Sequence, residues 1–216
     1  EAVYEDMAVK RRTFAALETL CREDAIFCTN TSVMSPSEIS AELKCRTRFA
    51  GTHFWNPAHL IPLVEVVKSD ATSDETAETV MALLVSAGKK PVLCQKDVPG
   101  FVANRMQHAL WREAISIVEN VIADAETVDM AVKYSFGLRL PQLGPLENAD
   151  MVGTDLTYSI HDYILPFLES SDKPSPILRE LRDTGDLGFK TGKGFRSWTP
   201  EEMQALRRNS AAEQKG

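Results

Sequence analysis

His53 and Glu65 are the residues whose types and spacing most readily do chemistry. The histidine ends one apolar run, residues 48–53, and the glutamate lies inside another, Leu63-Val64-Glu65-Val66-Val67-Lys68. Both runs have the length and composition of strands. If those strands are neighbours, the carboxylate meets the imidazole. A carboxylate inside an apolar strand loses hydration and needs a partner. A hydrogen-bonded histidine supplies one and is in turn held in one tautomer as a stronger base. Such a pair can take a proton from a substrate and return it. The pattern alone admits a second reading, a satisfied core histidine beside an edge-strand glutamate.

Other residue types carry less. Cys21, Cys28, Cys45 and Cys94 are scattered without a CxxC or a paired Cys/His spacing, so no zinc site is expected, and free thiols suit a cytoplasmic protein. No GxGxxG occurs. The glycines of Leu187-Gly188-Phe189-Lys190-Thr191-Gly192-Lys193-Gly194-Phe195 are spaced unlike a nucleotide loop and read as turns.

The elements that must position the pair follow from periodicity. Residues 6–23 have helical spacing, 25–29 form a short apolar strand, and Ser35-Pro36-Ser37-Glu38 resembles a helix start. A helix over 70–86, closed by Gly88, separates the Glu65 strand from another at 91–94. Strands alternating with helices in this way give an α/β domain over residues 1–97. After the turn Val98-Pro99-Gly100 the pattern is helical throughout: 101–122, 125–135, near 147–150, 154–169 and 176–184. An all-helical domain is therefore expected over 98–200, followed by a polar tail, 201–216.

The 216 residues are 44% hydrophobic and 25% charged, enough to bury a proper core. No apolar run reaches the ~18 residues that a membrane span needs, and a net charge of −7 argues against a nucleic-acid partner. The chain opens at Glu1 without Met, and its first residues read as the end of a strand. A preceding segment is expected on that ground.

Gly51-Thr52-His53-Phe54-Trp55-Asn56-Pro57 with Leu63-Val64-Glu65-Val66-Val67 resembles the HFFNP…LVEVI signature of the 3-hydroxyacyl-CoA dehydrogenase family. Four further stretches resemble that family in order: Thr29-Asn30-Thr31-Ser32, 96–105 (KDVPGFVANR), Gly144-Pro145-Leu146-Glu147 and 187–195. Glu1-Ala2-Val3-Tyr4-Glu5-Asp6 resembles the strand end and turn that line its nicotinamide site. The resemblance implies a doubly wound, Rossmann-type NAD-binding domain lacking its N-terminal part, then a helical domain that forms a homodimer. It implies NAD as cofactor, fatty acid metabolism as context, and oxidation of a secondary 3-hydroxyl to a ketone. His53 is then the general base, Glu65 orients it, and Asn104 and Ser32 hydrogen-bond the reacting oxygen. Glu5, Lys10 and Asn30 fall at the cofactor.

Taken alone, Ser32 equally suits a turn cap, Asn104 a helix-start polar residue and Lys10 a solvated charge. The family's glycine loop and ribose-binding acid lie in a first βαβ unit, so roughly 60–90 residues are expected to precede Glu1. Trp55 stands where acyl-CoA enzymes usually carry Phe, and Leu143 where they carry Met. These departures resemble a branch with non-CoA substrates such as pyridine carboxylates. The substrate is therefore an acyl-CoA or a small hydroxy acid, alcohol or aldehyde. A non-catalytic dimerisation module is the reading from outside enzymology.

Overall fold

The computed structural model describes residues 1–213, with side chains described through Asn209. The chain divides into two compact units, Glu1–Gln107 and His108–Asn209. The division falls inside a helix, ten residues beyond the expected boundary, so the first turn of that helix belongs with the sheet.

In the first unit, α1 (Met7–Leu20) starts where Asp6 caps it, its side chain accepting from the Val9 amide at 2.8 Å. Then come β1 (Phe27–Thr29), the single-turn α2 (Pro36–Ile39), β2 (Phe49–Phe54), β3 (Leu63–Lys68), α3 (Asp74–Ser86) and β4 (Lys90–Cys94). The expected helix over 70–86 starts later, at Asp74. Ser69 and Thr72 bond each other and fold 69–72 into a turn, and Ser73 caps the helix through the Thr76 amide.

The four strands lie in the order β1-β2-β3-β4. Pairing is parallel at β1–β2 and β3–β4 but antiparallel at β2–β3, so the sheet is mixed rather than wholly parallel. The link between β2 and β3 is short, residues 55–62, too short for a parallel crossover. Glu1 adds one parallel step on the outer edge of β1: its carbonyl accepts from the Asn30 amide at 2.9 Å and its nitrogen lies 2.6 Å from the Cys28 carbonyl.

Two larger apolar clusters, with a smaller third, hold this unit. Phe14, Phe27, Ile39, Leu43, Cys45 and Phe49 form one, with Phe14 edge-on to Phe49 at 4.7 Å. Val64 and Val66 join Val80 and Leu84 of α3 in the other. Alternation along β3 sends Glu65 and Val67 to the opposite face, where Val67 packs with Cys94 and Phe101.

The helix α4 (Ala103–Glu119) leads out of the first unit, and the second contains α5 (Ala125–Lys133), α6 (Pro145–Val152), α7 (Thr154–Ile164), α8 (Pro176–Thr184) and the start of α9 (Pro200–Glu213). Among the described residues it has no strand, as expected; its extended pairing is confined to isolated bridges at Gly188↔Lys193 and Lys193↔Ser197. Caps fix several starts: Asp124 accepts from the Thr127 amide, and Glu147 from the Gly144 amide at 2.7 Å. The segment expected as a polar tail is helical over Pro200–Glu213, with Glu201 and Glu202 in its first turn. No helix among the described residues is long and apolar enough to cross a membrane.

Candidate active site

The antiparallel register places His53 directly opposite Glu65, and the imidazole Nδ1 lies 2.9 Å from Glu65 Oε2. Glu65 is fully buried and His53 is 6% exposed. Three more donors reach the same carboxylate. The Trp55 indole N–H donates to Oε2 at 3.2 Å, and the amides of Val102 and Ala103 donate to Oε1 at 2.9 and 3.0 Å. The last two are amides that the start of a helix leaves without internal partners. Glu65 thus satisfies the head of α4 on one oxygen and meets the imidazole on the other.

Burial pushes the Glu65 carboxyl upward, but His53, the Ala103 and Val102 amides and Trp55 outweigh it and hold the group at about 2. An ionised carboxylate only accepts, so His53 Nδ1 carries the proton. Nε2 is left as the basic nitrogen and makes no hydrogen bond among the described residues. Trp55 and Phe101 flank the ring at centroid distances of 5.7 and 5.8 Å. Phe101 is buried with φ of 48° and follows Gly100 at 79°, two left-handed residues in the turn that delivers the α4 amides. Cys94 lies on the same side. Burial, and then the charge of Glu65, raise its thiol to about 11, so it stays protonated.

The residues expected at the cofactor form a second cluster. Lys10 is wholly buried, and its ammonium sits 3.2 Å from Glu1 and 3.0 Å from Glu5. Thr29 donates to Glu1 and Thr31 to Glu5. Burial raises both carboxyls, and the threonine and Lys10 partners more than offset it, leaving each below its ordinary value. The Lys10 side chain is therefore no solvated charge. Glu5 remains partly open, with a side chain 36% exposed, and also accepts from the Ser32 amide at 3.3 Å.

Asn30, Ser32 and Asn104 are placed differently. The Asn30 side-chain oxygen accepts from the Phe54 amide at 2.9 Å, bracing the end of β2 beside His53 where its pairing with β1 has run out. Ser32 is exposed in the loop after β1. Asn104 is half-buried in the first turn of α4, next to the amide held by Glu65. Neither the Ser32 hydroxyl nor the Asn104 amide group makes a hydrogen bond among the described residues, which leaves both available to a ligand.

Sequence reasoning missed three contributors. The Trp55 bond to Glu65 was hidden because an indole in a strand end reads as packing. The Val102 and Ala103 amides carry no residue-type signal at all. The carboxylate of Asp97 accepts from Ser35 and from the Ser37 amide, tying α2 to the segment before α4; such a long-range bond leaves no mark in local spacing. Among the described residues, no three His, Cys, Asp or Glu side chains are grouped to hold a metal.

Comparison with known proteins identifies the family and the fold. Residues 1–98 match the family model described as 3-hydroxyacyl-CoA dehydrogenase, NAD binding domain, and residues 100–198 match the C-terminal domain of the same family. The chain is 33% identical to 5-formyl-3-hydroxy-2-methylpyridine 4-carboxylate 5-dehydrogenase of Mesorhizobium japonicum, over 98% of this chain and 68% of that protein. It is 40% identical to a probable 3-hydroxybutyryl-CoA dehydrogenase of Bacillus subtilis, over 90% of this chain and 67% of the relative. A solved structure of a pyridine carboxylic acid dehydrogenase of the first kind, described as an NAD+-dependent dismutase, superposes with a TM-score of 0.93 at 33% identity, covering 99% of this chain and 69% of that one. A 3-hydroxyacyl-CoA dehydrogenase of Archaeoglobus fulgidus gives 0.71 at 35% identity, covering 96% and 72%. NAD is the cofactor that the matched domain binds. Two adjoining domain models covering nearly the whole chain in the right order decide the matter: the chain belongs to the 3-hydroxyacyl-CoA dehydrogenase family.

Proposed function

We propose that the protein oxidises a secondary 3-hydroxyl to a ketone, in the manner of a 3-hydroxyacyl-CoA dehydrogenase, with His53 as general base. The observation that carries this reading is the buried His53–Glu65 pair at 2.9 Å, in which an ionised partner fixes the proton on Nδ1. His53 Nε2 takes the proton of the substrate hydroxyl, and Glu65 stabilises the imidazolium that results. Ser32 and Asn104, whose side-chain groups are uncommitted, orient the reacting oxygen. Bound NAD supplies the hydride acceptor.

The residues present fit the nicotinamide end of that cofactor. Ligands of α/β sheets lie beyond the carboxyl ends of the strands, and Glu5 with the loop Asn30–Ser32 stands at that end of β1. Lys10 serves by holding Glu5 rather than by touching a ring, since its ammonium is buried. Asn30 supports the His53 strand through its side-chain oxygen, and its side-chain NH2, which makes no hydrogen bond among the described residues, is left to face the cofactor.

A second reading, a small non-CoA hydroxy acid or pyridine-type alcohol or aldehyde as substrate, is favoured by the TM-score of 0.93 to the pyridine carboxylic acid enzyme. A homodimer through the second unit accords with exposed apolar side chains there, among them Tyr134, Tyr163 and Phe167, each at least 73% exposed.

The test is NADH consumption by the full-length protein, with acetoacetyl-CoA and, separately, a pyridine carboxaldehyde. Turnover of the first supports the leading reading. Turnover of the second alone moves the substrate and keeps the base. His53→Ala should lower turnover by about 10²–10⁴-fold with NADH affinity unchanged. A variant that turns over normally would remove His53 from the role.

A further inference from the structure

Among the described residues, Trp55 is the one side chain besides His53 that reaches Oε2 of the Glu65 carboxylate. Two donors on Oε2 and two amides on Oε1 fill the acceptor positions of this carboxylate, roughly four in number. Its negative charge is thus shared, and the share that reaches the imidazole depends on the other three donors. Two of those are backbone amides, fixed by the start of α4. The indole is the only one of the three that a change of side chain can remove.

We infer that Trp55 is a positioning residue that sets the basicity of His53 by competing with it for Glu65 Oε2. The groups facing the pair are few. His53 and Trp55 come from β2 and its end, the amides and the Phe101 ring from the turn into α4, and the protonated Cys94 thiol from β4. Among the described residues, His53 is the only group within salt-bridge reach of Glu65 that can become cationic, on taking a second proton. Removing the indole N–H while keeping an aromatic ring therefore leaves the carboxylate with more charge for the imidazolium. The charged form of His53 is favoured, and its titration midpoint rises. The same indole also limits how far the carboxylate can swing away from the ring, since it holds Oε2 while the amides hold Oε1.

This inference rests on His53 being the base only where activity is concerned, so the primary readout is direct. In the full-length protein, the imidazole of His53 is followed by nitrogen–proton NMR across pH, assigned by its loss in His53→Ala. Trp55→Phe should raise its midpoint by about half a unit. In the unaltered protein, the Trp55 indole N–H proton, assigned by its loss in Trp55→Phe, should move upfield as His53 becomes charged, with the same midpoint, because the imidazolium draws Glu65 Oε2 away from the indole and weakens that hydrogen bond. An unchanged His53 midpoint in Trp55→Phe, or, should that variant not fold, an indole resonance indifferent to the His53 titration, overturns the inference. The acid limb of kcat/KM separates the two claims. A limb that follows the NMR midpoint supports both, and one that stays put while the NMR midpoint moves removes His53 as the base and leaves the Trp55 coupling standing.

Discussion

Glu65 does two jobs with one carboxylate. Oε1 closes the orphan amides of a helix start and Oε2 fixes the tautomer of a histidine, so the group that anchors α4 also tunes the base. The consequence is asymmetric on substitution. In Glu65→Gln the amide oxygen can still accept from Val102 and Ala103, but the NH2 then faces His53 Nδ1 and donates to it. That favours the tautomer with the proton on Nε2, the wrong one for taking a substrate proton. Turnover should fall by about 10²–10⁴-fold, and the melting temperature should fall as well, because the Trp55 indole loses its acceptor and the fold loses the ionised carboxylate. Single-turnover kinetics beside a thermal melt checks this, and a variant of normal rate would show that the carboxylate charge does not matter to the base. His53 and Glu65 were legible from the sequence because a carboxylate in LVEVV has to be compensated. Trp55 was not, because an indole at a strand end has an adequate apolar explanation.

At the scale of elements, the site depends on β2 and β3 being antiparallel and in one register. A slip of one residue would turn Glu65 to the face occupied by Val80 and Leu84. Gly51 is part of what holds β2 in place. A Cβ there would meet Val67 Cβ at 3.0 Å and Pro36 Cγ at 3.1 Å, so the strand packs against α2 on one side and its partner on the other with no room for a methyl. Gly51→Ala should cost about 1–3 kcal/mol of stability, seen as a lower midpoint in denaturant. It should also weaken turnover beyond the loss of folded protein, because His53 lies two residues along the same strand. An alanine variant of unaltered midpoint would mean that α2 yields without cost. The strands themselves were readable from composition; their pairing direction was not, since nothing in a run of six residues states which neighbour it will take.

For the whole molecule, the carboxylates of the first unit make stability depend on pH. Glu65 is held at about 2 against an ordinary 4.5, and Glu1 and Glu5 are also lowered. A carboxyl whose folded value lies below its unfolded one stabilises fully above the unfolded value and loses that contribution as pH falls through the folded one. Urea unfolding should therefore show stability declining from about pH 4.5 towards about 2, and Glu65→Gln should decline less steeply across that window. Parallel curves for the two proteins would show that the Glu65 carboxyl titrates alike folded and unfolded.

The sequence by itself determined the α/β-then-helical order, most element positions, and the family, through motifs whose order along the chain is local information. It also singled out the two residues of the buried pair, because burial of a charge constrains residue type wherever it occurs. Only the tertiary structure decided the antiparallel β2–β3 pairing, the burial of Lys10 between Glu1 and Glu5, the turning of Asn30 to the Phe54 amide, and the four-donor shell of Glu65. Most of these join groups well separated in sequence, several through backbone atoms that every residue shares. Such bonds are chosen by which surfaces the core brings together, and no local spacing records that choice.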